Sequence, residues 1–260
     1  MGYQFLAVRR EGPVEHVTLN RPEVRNAFNE RVIAELSDWA QNAAEDEGLR
    51  VAVLAGAGKV FSAGADADWM ARMADSSHQD NFEDAARAAS MFRAINALPC
   101  VVIGRIHGAA LGGGSGLAAV CDIVITTDTA LFGFTETKLG ILPAMISPFV
   151  LPKIGMSAAR ELFLTGMRFN AQRAREIGLV HAVVPEPSLD ETVQRYVDEA
   201  LSAAPTAVAA AKRLLPQVWG RRPEEVAALT ATAIAEQRVS EQGQEGLRAF
   251  LEKRKPSWTP

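Results

Sequence analysis

Four short runs rich in β-branched and aliphatic residues, Val14–Leu19, Val51–Ala55, Val101–Ile106 and Ile123–Thr126, alternate with stretches of helical character. Strands separated by helices do not pair as hairpins; they are joined by crossovers and align in parallel. The alternation therefore predicts an α/β fold with a largely parallel sheet. The first crossover is the clearest: Asn29 is placed to cap a helix through about Ala44, with Val32, Ile33, Leu36 and Trp39 on one face. From roughly Ser157 onward the β-type runs fade. Helices are expected at Ala171–Ile177, Leu189–Leu201, Thr206–Leu215, Pro223–Gln237 and Gln244–Lys253, punctuated by Gly and Pro. The reading is one α/β core over residues 1–195 and a helical region over 196–260, with no solenoid-type repeat.

Charge and composition narrow the partners. With 27 Lys+Arg against 31 Asp+Glu, the net charge of −4 provides no general attraction to nucleic acid or to an anionic membrane. Arg9, Arg10 and Glu11 break any apolar leader, and the weakly polar run Gly108–Cys121 is too short and too glycine-rich to span a bilayer, so no membrane segment is expected. Two cysteines, Cys100 and Cys121, both in apolar stretches, suggest buried reduced thiols in a cytoplasmic protein. His16, His78, His107 and His181 are scattered without the short spacing of a helical metal site, so no metal is assigned.

Three segments carry chemistry. Phe61-Ser62-Ala63-Gly64-Ala65-Asp66 follows the second strand. Its small residues let a ligand approach the main chain, and a helix starting near Asp66 would aim free N–H groups at developing negative charge. An ordinary strand-to-helix turn capped by Asp66 explains the same residues. Gly108-Ala109-Ala110-Leu111-Gly112-Gly113-Gly114-Ser115-Gly116-Leu117 follows the third strand and leads into a helix expected over Leu117–Cys121. Consecutive glycines cost about 1 kcal/mol each inside a helix, so they imply close approach by a ligand or by another backbone. The run fits neither a dinucleotide fingerprint nor a G-x-S-x-G nucleophile elbow, because Leu117 stands where Gly or Ala is needed, and Gly56-Ala57-Gly58-Lys59 is not a phosphate loop. The third segment, Phe132 to Pro143, sets Glu136 among apolar and small residues. Desolvation there would raise its pKa towards that of a working base, and pairing with Lys138 or Arg105 is the alternative.

Taken in order and spacing, Ala63-Gly64-Ala65-Asp66, Gly112-Gly113-Gly114 and Thr135-Glu136 with Gly140 and Pro143 resemble the enoyl-CoA hydratase/isomerase (crotonase) superfamily. The likeness runs from Leu19-Asn20-Arg21-Pro22 to the Phe250–Pro256 segment. It implies a spiral of ββα units with a helical C-terminal region used in trimerisation, as a homotrimer or a dimer of trimers. It implies an acyl-CoA thioester substrate, CoA being part of that substrate rather than a separate cofactor. The backbone N–H groups of Ala65 and Gly113 would form an oxyanion hole beside Glu136. Arg25, Ala63, Asp66 and Lys253 would approach CoA, and Trp69, Met70, Gly116, Phe134 and Leu142 would shape the acyl pocket.

Gly116 departs from the pattern, since typical hydratases carry a second glutamate there. A single Glu136 suffices for a 3,2-enoyl-CoA isomerase. The Thr135–Pro148 stretch is instead similar to methylglutaconyl-CoA and carboxygeranoyl-CoA hydratases, which also lack the first glutamate and take a distal carboxylate. Hydration, isomerisation and non-catalytic acyl-CoA binding are the three readings, with hydration preferred by resemblance.

Overall fold

A computed structural model describes residues 2–259; Met1 and Pro260, the outer ends of the two expected regions, lie outside them. In chain order the strands are β1 (Leu6–Glu11), β2 (Val14–Leu19), β3 (Val51–Gly56), β4 (Val101–Ile106), β5 (Ala109–Leu111), β6 (Ile123–Thr127), β7 (Leu131–Gly133), β8 (Arg168–Asn170) and β9 (Ala182–Val184). The helices of the core are α1 (Glu30–Glu45), α2 (Ala67–Ala74), α3 (His78–Asn96), α4 (Gly113–Val120), α5 (Ser147–Thr165), α6 (Ala171–Glu176) and α7 (Leu189–Ser202). Three more close the chain: α8 (Pro205–Val218), α9 (Pro223–Val239) and α10 (Glu241–Leu251).

The larger sheet has the order β1-β2-β3-β4-β6-β9, parallel throughout except for the β1–β2 hairpin. All four expected strands are in it, and α1 crosses from β2 to β3 with Asn29 Oδ1 accepting the Val32 N–H at 3.0 Å. A second, three-stranded sheet, β5-β7-β8, runs alongside. Each turn of the spiral thus places a long strand in the first sheet, a short one in the second, and then a helix: β4-β5-α4 and β6-β7-α5. β8 and β9 fall beyond Ser157, where β-type runs fade in the sequence and helical patterns dominate. At three residues each they are too short to show an alternating pattern.

Strand alternation divides the core. Ala52 and Leu54 face α1, α3 and α4, whereas Val51 and Val53 face the other way, joining Val14, Ile103 and Ile125 under Leu189, Val193, Val197 and Leu201 of α7. The boundary read at 195/196 falls inside α7, which packs with the core; the chain leaves it only after Ser202. Beyond that point little is buried, and α9 and α10 contribute only Val226 and Ala249. Trp219, Val239, Phe250 and Leu251 remain largely exposed. No helix among the described residues is long and apolar enough to cross a membrane.

Candidate active site

The spiral carries two of the three motif segments side by side. Ser62 and Ala110 form a parallel bridge, with Ser62 N–H donating to Ala109 O and Leu111 N–H to Ser62 O, both at 3.0 Å. Continuing that register by three residues puts Ala65 beside Gly113. Contact between the preceding residues agrees: a Cβ on Gly112 would lie 3.9 Å from Gly64 Cα, and one on Gly64 would lie 2.8 Å from Leu111 O. Gly64 and Gly112 have φ of +93° and +51°, a region L side chains rarely adopt, so the backbone turn demands glycine at both positions, and at Gly64 the close approach of Leu111 O demands it as well.

The Ala65 and Gly113 amides have no acceptor in the hydrogen-bonding of the described residues. Gly113 opens α4, four residues earlier than the helix expected at Leu117. Its free N–H is therefore one of the unpaired donors at a helix start, where the macrodipole adds partial positive charge. The remaining glycines serve packing: a Cβ on Gly113 would meet the Phe28 ring at 2.9 Å, and one on Gly114 would meet Ser62 O at 2.8 Å. Ser115 is buried with Oγ donating to Ala110 O at 2.7 Å, a structural role.

Glu136 opens a 3-10 turn, Glu136–Leu139, that ends at Gly140 with φ of +77° and is pinned by Thr137 Oγ1 donating to Phe163 O at 2.8 Å. A Cβ on Gly112 would stand 3.4 Å from Glu136 Oε1, so the carboxylate lies over the glycine that precedes the free amide. Its Oε2 is buried with no hydrogen-bond partner among the described residues. The pairing with Lys138 or Arg105 is not formed; Arg105 instead pairs with Asp190 at 2.5 Å. Burial raises the Glu136 pKa above its ordinary value, opposed by a smaller lowering effect of its own backbone amide.

These groups open on a cavity of about 680 Å³ lined by Ala65, Gly113, Glu136, Trp69, Met70 and Leu142 together with side chains of α3 and the 139–146 segment. Six of the residues read from sequence are thereby assembled. The others are placed differently. Phe134 is fully buried away from the cavity, edge-on to Phe163 at 5.0 Å and near Phe169 at 5.8 Å. Gly116 lies behind the cavity wall, where a Cβ would fall 2.2 Å from Ile146 Cγ2; Ile146 itself lines the cavity.

Asp66 is spent within the fold. It caps α2 by accepting from Asp68 and Trp69 amides, and it pairs with Arg21 at 2.9 Å. Burial pushes its pKa up, but the Arg21 guanidinium and the two amides outweigh that and hold it below the ordinary value. Arg25 and Ala63 adjoin each other through a 2.9 Å bond from Ala63 N–H to Arg25 O, outside the cavity wall. Lys253 is exposed just past the end of α10.

Residues the sequence reading missed are Phe28, which seats Gly113, Ile146, which closes the space at Gly116, and Asp84, an acid on the cavity wall. Only Asp84 left a sequence signal. It occupies the first position of an otherwise apolar helical stripe with Ala88, Met91 and Phe92.

The fold is shared with crotonase-type structures. An enoyl-CoA hydratase from Shewanella pealeana superposes with a TM-score of 0.95 at 37% identity, covering 98% of this chain and 96% of that one. Pseudomonas aeruginosa AtuE superposes with a TM-score of 0.95 at 35% identity, covering 99% and 100%. Residues 9–260 match the enoyl-CoA hydratase/isomerase family model, and the chain belongs to that family. Among named relatives, the 2,3-dehydroadipyl-CoA hydratase of Escherichia coli strain K12 is 32% identical over 97% of this chain and 98% of its own length.

Proposed function

We propose that the protein adds water reversibly to a 2-enoyl-CoA thioester, with the Ala65 and Gly113 amides holding the thioester oxygen and Glu136 as the sole acid–base group. The observation that carries this reading is the juxtaposition of a carboxylate whose buried Oε2 has no partner with two amides that have no acceptor, among the described residues, in register on one cavity wall. Two donors aimed at one oxygen stabilise the enolate-like state formed when a nucleophile attacks C3; removing such a donor costs roughly 10²–10³ in rate. Glu136, in carboxylate form, takes a proton from water as its oxygen bonds to C3. The C2=C3 π electrons move towards the thioester, and the protonated Glu136 returns the proton to C2. One carboxyl group completes the cycle and ends as it began.

Isomerisation is the second reading, favoured by Ile146 occupying the space at Gly116, so that no second carboxylate can stand there. In that case Glu136 would take a proton at C2 of a 3-enoyl thioester and return it at C4. The exposed apolar residues of α9 and α10 support assembly of this chain with copies of itself, as a trimer or a dimer of trimers.

Mass spectrometry of 2-enoyl- and 3-enoyl-CoA incubated with the protein and with Glu136→Gln tests the proposal. Gain of one water, lost in the variant while thioester binding persists, is the expected result. An isobaric shift identifies the isomerase, and undiminished activity of the variant refutes the role of Glu136.

A further inference from the structure

The apolar cavity has one charged group away from the reacting centre. Asp84 lies on the stripe of α3 that also holds Ala88, Met91 and Phe92, at i, i+4, i+7 and i+8, all four on the cavity wall. A carboxylate in such a stripe displaces an apolar residue that would pack better, and acids are rarely this buried without a full set of partners. Asp84 is 6% exposed. Its polar contact among the described residues is a 3.4 Å approach of Arg87 Nη2 to Oδ1, and the Arg87 side chain is 61% exposed. Water screens the arginine while the carboxylate faces the cavity. No Lys, Arg or His lies on the wall among the described residues; Asn81, also on the wall, spends its amide on the Met73, Ser76 and Ser77 carbonyls.

The helix supplies a ruler. Phe92 reaches the oxyanion end, its ring 4.0 Å from where a Gly113 Cβ would sit. Asp84 is eight residues earlier on the same stripe, about 12 Å along the axis at 1.5 Å per residue. An extended chain of single bonds advances about 1.2 Å per bond, judging from the peptide backbone, so about ten bonds separate the thioester from Asp84.

We infer that Asp84 is a specificity-determining residue that, at an acyl length of about ten carbons, favours chains with an uncharged end and rejects those ending in a carboxylate. The inference rests on the thioester lying at Ala65 and Gly113. A carboxylate at the far end of the acyl chain would meet Asp84 inside an apolar cavity with no cation to receive it. Like charges brought together without water discriminate by roughly 100-fold or more. The distal carboxylate suggested by similarity of the Thr135–Pro148 stretch is thus disfavoured in this chain, whatever its relatives accept.

The test compares kcat/KM for a ten-carbon 2-enoyl-CoA ending in a methyl group with its counterpart ending in a carboxylate. The wild type is expected to prefer the methyl end by roughly 100-fold, Asp84→Asn to shrink that preference at least about tenfold, and Arg87→Gln to widen it. Equal use of both esters by the wild type overturns the inference. So does an unchanged ratio in a folded Asp84→Asn protein. Should that variant not fold, narrowing of the preference by Arg87→Gln, a surface change, overturns it too. If neither ester is converted, the proposed reaction fails separately, and dissociation constants of the two saturated ten-carbon esters decide: a preference for the methyl end that Asp84→Asn removes sustains the inference, and equal affinities refute it.

Discussion

Substituting Gly116 by alanine sets two known effects against each other, and the structure decides the sign. Gly116 lies within α4, where alanine is favoured over glycine by about 1 kcal/mol from helix propensity alone. Against this, the new Cβ would lie 2.2 Å from Ile146 Cγ2, 3.0 Å from Ile146 Cβ and 3.2 Å from the Phe92 ring. Carbon atoms rest at about 3.5–4.0 Å, so relief requires a shift of more than about 1 Å by a side chain that is 2% exposed and stands at the start of α5. Overpacking of this kind costs about 1–3 kcal/mol, and with a clash this deep the upper half of that range applies. The net expectation is destabilisation by about 1–2 kcal/mol, read as a lower urea midpoint with an unchanged slope. A double-mutant cycle isolates the contact. Ile146→Ala alone leaves a cavity and costs about 2–5 kcal/mol, but the methyl introduced by Gly116→Ala would fill part of it, so the double variant should be more stable than additivity predicts by about 1 kcal/mol or more. Unchanged or raised stability of Gly116→Ala, or strict additivity in the cycle, refutes the claim that Ile146 closes this position. The same contact predicts that Gly116→Glu does not create a second working carboxylate unless Ile146 is also shortened.

Three further outcomes are expected. Because burial raises the Glu136 pKa, the folded state holds that proton more tightly than the unfolded chain. Its stabilising contribution is complete below the unfolded value and is lost as pH rises through the folded one, so Glu136→Gln should melt higher than wild type at neutral pH and by a smaller margin at pH about 4, near the unfolded value; the reverse order refutes the assignment. Asp66→Ala removes a helix cap and deprives Arg21, which is 12% exposed, of its carboxylate while leaving it Ala27 O and the Phe5 ring, and should lower the unfolding free energy by about 2–3 kcal/mol in urea titration; a loss under about 1 kcal/mol would show that the pair is dispensable. Burial pushes the Cys100 and Cys121 thiols up to about 11 and about 12, so a thiol reagent at mildly alkaline pH should modify neither in the native protein and both after unfolding, counted by mass.

Local patterns in the sequence were sufficient wherever an element is long and its neighbours are predictable. The four β-rich runs are strands of the large sheet, Asn29 caps α1, and the helices from Ala171 onward begin within about three residues of their expected starts. Each of these rests on contacts between residues near in sequence, which periodicity records. The residues that meet at the cavity were legible for a similar reason: glycines at the close approach of two loops and a glutamate in an apolar segment are unusual enough to stand out.

Tertiary structure decided what those residues face. That Ala65 and Gly113 stand in register depends on a bridge between Ser62 and Ala110, 48 positions apart, which no local pattern encodes. Ile146 filling the space at Gly116, Phe134 turning into the aromatic core instead of the cavity, and α7 joining the sheet across the 195/196 boundary are likewise contacts between distant segments. Asp84 shows the division most plainly. Its place on a helical stripe is written in the spacing from Ala88 to Phe92. Its meaning comes from the packing of α3 against the loops that carry Ala65 and Gly113, because only that packing turns a helix face into the wall of an apolar cavity with no cation on it among the described residues.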